Sequence, residues 1–188
     1  MKIAGKTKKR IDKDFVEIIG AQLIATTFGR IGGIFLTSAA DKLYLIPGLL
    51  VLIPGFLEMH GNILGSLAAR LGTALHTRKI SPELKNSPFI KENVFANVSL
   101  GIIVGLFLGL LAFLITKMVF GVVDVKIIFV SVFALILSLV IELPLTLIST
   151  FWFFRKGYDP DDVMGPYVTT SGDVISILSL LVALWVVL

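Results

Sequence analysis

Five long apolar stretches decide the fold class of this chain before any other feature does. They run over Phe15–Ala40, Tyr44–Leu71, Val94–Met118, Ile127–Phe154 and Pro166–Leu188. Each exceeds the roughly 20 residues that a helix needs to cross a bilayer. Hydrocarbon offers no water to satisfy backbone N–H and C=O groups, so spans of this kind must be α-helical. The expected fold is all-α: a polytopic membrane protein with five transmembrane helices. Composition agrees, because 56% of the 188 residues are hydrophobic. A soluble domain of this size has no means of hiding that much apolar surface. No cysteine is present, which removes disulfides and thiolate metal sites.

Basic residues set the expected orientation. Lys2, Lys6, Lys8, Lys9, Arg10 and Lys13 precede the first span. Arg70, Arg78, Lys79, Lys85 and Lys91 follow the second, and Arg155 and Lys156 the fourth. The opposite side has only Lys42, Lys117 and Lys126. The positive-inside rule then places the N-terminus in the cytoplasm and the C-terminus outside, in the plasma membrane. Residues 1–14 read as a basic cytoplasmic tail and residues 15–188 as the membrane domain. No small-residue cleavage site follows the tail, so a retained first helix is expected and not a signal peptide. The net charge of +4 is explained by topology. It implies contact with anionic membrane lipid and no nucleic-acid partner.

Glycine and proline mark individual helices. Pro47 and Pro54, beside Gly48 and Gly55, predict a kink or break in the second span. Gly101, Gly105 and Gly109 recur every four residues in the third span and predict a close helix contact.

Polar side chains inside the spans carry the chemistry, since a charge at that depth costs a few kcal/mol at least. In the second span Glu58, Asn62, Ser66 and Arg70 are spaced by four and form one helical stripe, with Gly61 and Gly65 beside it. In the fifth, Thr169, Asp173 and Ser176 share a face, with Thr170 at its edge and Pro166 expected to open the helix. Asn62 is about 12 Å from Arg70 and Asp173 about 10 Å from Pro166, at 1.5 Å per residue, so the two are expected at one level. Carboxylate, amide and hydroxyl oxygens suit a hard divalent cation such as Mg2+ or Ca2+. Candidate metal positions are Asp173, Asn62, Thr170, Thr169 and Glu58; candidate pore-lining positions are Gly61, Gly65, Ser66, Pro166 and Ser176. Arg30 and Glu142, each mid-span, are expected to pair, with Asp173 and Glu58 as the alternative partners of Arg30. The acidic run Asp159, Asp161, Asp162 caps a helix whose first position is Pro160. It also lies at the cytoplasmic mouth, where it would gather cations.

At these residues the chain resembles the membrane domain of the MgtE family of magnesium transporters and their eukaryotic solute-carrier relatives. One matching block is the Pro54…Gly61-Asn62…Arg70-Leu71 segment. The other is Asp159-Pro160…Pro166…Thr169-Thr170…Asp173. The resemblance implies that Asp173 is the principal ion-site residue, that Gly61 and Asn62 line a pore, and that the pore forms between two copies in a homodimer. It implies Mg2+ as the bound and transported ion, no organic cofactor and no enzymatic activity. Only residues 1–14 precede the first span, so the regulatory CBS pair of many bacterial members is not expected. Glu58 and His60 depart from the glycine-rich approach found there.

Other readings stay open from sequence. Transport coupled to Na+ or H+ uses the same residues. A non-transporting structural subunit would use the polar stripes only to hold helices together. An intramembrane aspartyl protease would need Asp159 and Asp173 on facing helices, whereas Asp159 lies in a loop beside Pro160.

Overall fold

The computed structural model describes residues 2–43, 46–83 and 87–187, without the side chains of residues 2–12 and of Lys42. The expected start of the second span at Tyr44, the basic Lys85 and the side chains of the basic tail before Lys13 fall outside the described residues.

Among the described residues six helices follow one another: α1 (Lys2–Ser38), α2 (Ala40–Leu43), α3 (Gly48–His76), α4 (Pro88–Phe120), α5 (Lys126–Arg155) and α6 (Pro160–Val187). No strand occurs among the described residues. Five of the helices contain a stretch long and apolar enough to cross a membrane, and α2 is a single turn between the first two. The protein is a multi-pass membrane protein.

Local chemistry sets the helix ends. Ser87 caps α4, its hydroxyl accepting from the Ile90 N–H at 3.2 Å, and Pro88 takes the first helical position. Gly121 ends α4 in the left-handed region at φ 69°, a conformation that glycine adopts without steric cost. Gly157, at φ 83°, turns the chain from α5 into α6. The Asp159 carboxylate accepts from the Asp161 N–H at 3.0 Å, and Pro160 begins the helix, as the sequence suggests.

One expectation about proline is narrowed, to an interruption at Pro47 and none at Pro54, and one needs correction. Helix α3 runs unbroken through Pro54, and Pro47 lies just before its first residue. Pro166 does not open the last helix, because α6 already starts at Pro160 and continues through Pro166. Asp173 therefore lies thirteen residues into α6, about 20 Å from its N-terminal end.

Helix α3 is the centre of the bundle and packs against α4, α5 and α6, while α5 also packs against α4 and α6. The core is built where these helices meet, from Phe56, Leu64, Leu71, Leu135, Phe151 and Leu184 among others. Gly101, Gly105 and Gly109 are buried and face Leu139, Leu135 and Ser131 of α5, and the Ser131 hydroxyl donates to the Gly105 carbonyl at 2.8 Å. This is the close approach that the four-residue glycine spacing predicts. Helix α1 packs chiefly on α6. Half of the most apolar window of α3 is buried, but only 6% of that of α1. Exposed Phe95, Ile103 and Phe107 of α4 and Phe15, Leu23 and Phe28 of α1 present their apolar surface outward, as a lipid solvent requires.

Candidate functional site

The seam between α3 and α6 is held close by glycine. A Cβ at Gly61 would lie 3.2 Å from the Thr169 Oγ1, one at Gly72 would lie 2.8 Å from an Asp161 carboxylate oxygen, and one at Gly172 would lie 3.5 Å from the His60 Cβ. These contacts define an antiparallel register: Asp161 faces Gly72, Thr169 faces Gly61, and Gly172 lies beside His60.

The register orders the polar residues by depth. Asp173 and Glu58 are close enough to interact electrostatically. Asn62 lies level with Thr169, about one turn or 5.4 Å nearer the end where α6 begins. The sequence expectation that Asn62 and Asp173 share a level is thus refined: Glu58 is the α3 residue level with Asp173. Glu58, Asn62, Ser66 and Arg70 do form one exposed stripe along α3. The Asn62 amide donates to Glu58 Oε1 at 3.2 Å, and an Arg70 guanidinium nitrogen donates to the Ser66 Oγ at 3.1 Å. Thr169 is exposed beside this stripe, and Asp173 is half-buried. Gly65 has open space around it.

Three candidate positions face elsewhere. Ser176 is fully buried and donates to Glu142 Oε1 at 3.3 Å, so it does not line the exposed face. Pro166 and Thr170 line an apolar cavity of about 750 Å³ between α1 and α6, together with Val16, Phe28 and Tyr167. Sequence spacing put Thr169 and Thr170 together, but neighbouring residues on a helix point about 100° apart.

The pairing of Arg30 with Glu142 does not form. Glu142 is 3% exposed and sits in a polar cluster with His60 from α3 and Ser176 from α6. The His60 Nε2 lies 2.5 Å from the Ser138 Oγ and 4.0 Å from Glu142 Oε1, and its Nδ1 is 2.8 Å from the Phe56 carbonyl oxygen. Because a carbonyl only accepts, Nδ1 carries a proton. Sequence spacing alone does not reveal this cluster. Ser138 and Glu142, four apart on α5, show by spacing that they share a face, but not that His60 meets them.

Where α6 begins, Asp159 lies 3.1 Å from the His76 Nε2, its backbone N–H donates to Glu17 of α1 at 3.5 Å, and Lys13 donates to the Gly157 carbonyl at 3.0 Å. Asp161 and Asp162 occupy the first turn of α6, where negative charge complements the helix dipole. The acidic run is thus both a helix start and a negatively charged rim on the side where α3 ends.

Among the described residues no group of three or more His, Cys, Asp or Glu side chains converges to enclose a metal. The oxygens of Asp173, Glu58, Asn62 and Thr169 instead lie along an open face. That arrangement suits an ion that keeps most of its water, as Mg2+ does, and not a dehydrated cage.

A search of curated proteins finds no match. The family model for MgtE, described as a divalent cation transporter, matches residues 53–183, a range that holds the α3 stripe, the α5 cluster and Asp173. The chain belongs to the MgtE family of divalent cation transporters.

Proposed function

We propose that this protein carries Mg2+ across the plasma membrane as a homodimer, along a polar path between α3 and α6. The observation that supports this most is the open face on which Glu58, Asn62, Thr169 and Asp173 stand together far from either end of their helices. In a single chain this face would meet lipid, which is a poor environment for two carboxylates. Two copies placed face to face would bring two Asp173 side chains around one axis and enclose a water-filled path. The carboxylates would hold the hydrated cation, while Asn62 and Thr169 would contact its waters. Asp159, Asp161 and Asp162 would concentrate cations at the cytoplasmic mouth. An inside-negative potential favours a divalent ion inside by about 4–5 kcal/mol per 100 mV, so inward flow needs no coupled ion.

The test is Mg2+ flux into liposomes at a clamped K+ potential with no Na+ or pH gradient, wild type beside Asp173→Asn. Flux that follows the potential and is lost in the variant, with the oligomer intact, is the expected result. Normal flux in Asp173→Asn would remove the central residue from the pathway. Flux only after a Na+ or H+ gradient is imposed would replace passive flow with exchange.

A further inference from the structure

Helix α1 carries a second polar stripe that no other described residue covers. Gln22, Thr26, Arg30, Gly33 and Thr37 lie three or four residues apart, and all five are exposed. They extend over about 22 Å of helix, most of a bilayer's hydrocarbon thickness. Arg30 is about 12 Å from the end of the helix at Ser38. No ion pair or hydrogen bond to its side chain occurs among the described residues. Ionisable residues within membrane spans almost always face a protein partner or a water-filled cavity. A stripe this long is not explained by one arginine reaching for the surface.

The position of Arg30 says what faces it. Gly32 is the point where α1 meets α6: a Cβ there would lie 3.2 Å from Ile177 and 3.9 Å from the backbone of Asp173. Arg30 is two residues from Gly32, roughly 3 Å along the axis and 160° around it, so it is nearly level with Asp173 and points away from α6. Glu58, level with Asp173 on α3, is likewise exposed and accepts a hydrogen bond from the Asn62 amide of its own helix. The chain thus presents two uncovered polar stripes with opposite charges at one depth. Gly29 and Gly33, with nothing within 4 Å of an added Cβ, leave α1 open to a close helix approach.

We propose that the Gln22–Thr37 face of α1 docks on a second copy of this chain, and that Arg30 pairs there with the partner copy's exposed Glu58 carboxylate. The proposal rests on the homodimer reading and says which surface makes it. A two-fold interface is self-complementary, so each Arg30 meets the partner's Glu58 at the edge of the polar face, Asn62 stays on the path between the copies, and the same contact is made twice. The charges then balance. Two Asp173 and two Glu58 carboxylates against two Arg30 guanidinium groups leave two negative charges, the complement of one divalent cation. Glu58 becomes the counter-charge of Arg30, and the two Asp173 side chains are left for the ion.

The absence of cysteine makes crosslinking clean. The double variant Arg30→Cys with Glu58→Cys, in lipid nanodiscs under a mild oxidant, should give a covalent dimer. Arg30→Cys with Ile103→Cys, the latter on the outward face of α4, should not. Mass measurement of the uncrosslinked wild type in the same nanodiscs separates the two claims. Dimer mass without the crosslink overturns this interface, including the case of an arginine held by lipid phosphate, and leaves the homodimer standing. Monomer mass overturns both. In the charge-reversal series, Arg30→Glu and Glu58→Arg should each weaken association roughly tenfold or more, and the double reversal should restore most of it. Weakening in the double variant equal to the sum of the two singles would also overturn the pairing.

Discussion

Gly109 offers the sharpest test of how the bundle is held together. A methyl group added there would lie 3.0 Å from the Ser131 Cβ and 3.1 Å from the Ile128 Cα. The second neighbour is backbone, so no side-chain rotation relieves the contact and α4 must move away from α5. That movement also stretches the 2.8 Å hydrogen bond from Ser131 to the Gly105 carbonyl. Overpacking of this kind costs about 1–3 kcal/mol, and a hydrogen bond between membrane helices adds about 0.6 kcal/mol on average. Against this, Gly→Ala within a helix gains up to about 1 kcal/mol of intrinsic propensity. The net expectation for Gly109→Ala is destabilisation by about 1–2.5 kcal/mol, a roughly 5- to 70-fold fall in the folded-to-unfolded ratio. Gly20→Ala on α1 is the matched control, because nothing lies within 4 Å of its added Cβ. It should be neutral or slightly stabilising. Reversible unfolding in mixed micelles of a mild detergent and dodecyl sulfate, followed by Trp152 and Trp185 fluorescence, measures both. A Gly109→Ala protein as stable as Gly20→Ala would refute the claim that close backbone approach is why glycine stands at that position.

Two further substitutions separate the pathway from the scaffold. Asn62 is exposed and, among the described residues, its amide bonds only Glu58 on its own helix, so Asn62→Leu should change stability by no more than about 0.5 kcal/mol while Mg2+ flux falls; unchanged flux would take Asn62 out of the pathway. Ser138→Ala removes the buried partner of the His60 Nε2 and should cost about 1–3 kcal/mol in the same unfolding assay; no loss would mean that the cluster contributes nothing to holding α3 on α5.

What the sequence determined by itself was set by the solvent. Lipid forces each long apolar run into a helix, so five spans, their approximate limits and their all-α class could be read from hydropathy alone, and the family blocks around Asn62 and Asp173 were visible as residues at fixed spacing. The glycine seam of α4 and the Asp159 cap were legible for the same reason: both are periodic or local. Tertiary structure decided everything that depends on the angle and register between helices. Period alone places Ser176 and Thr170 near Asp173, but only the packing of α5 turns Ser176 onto buried Glu142, and only the packing of α1 puts Thr170 against an apolar cavity. It gave Glu142 to His60 and not to Arg30, because α1 touches the bundle through Gly32 on nearly the opposite side from Arg30. A helix sequence states which residues share a face; which neighbour that face meets is set by the closest approach of backbones, here the glycine contacts that bring α3 and α6 together.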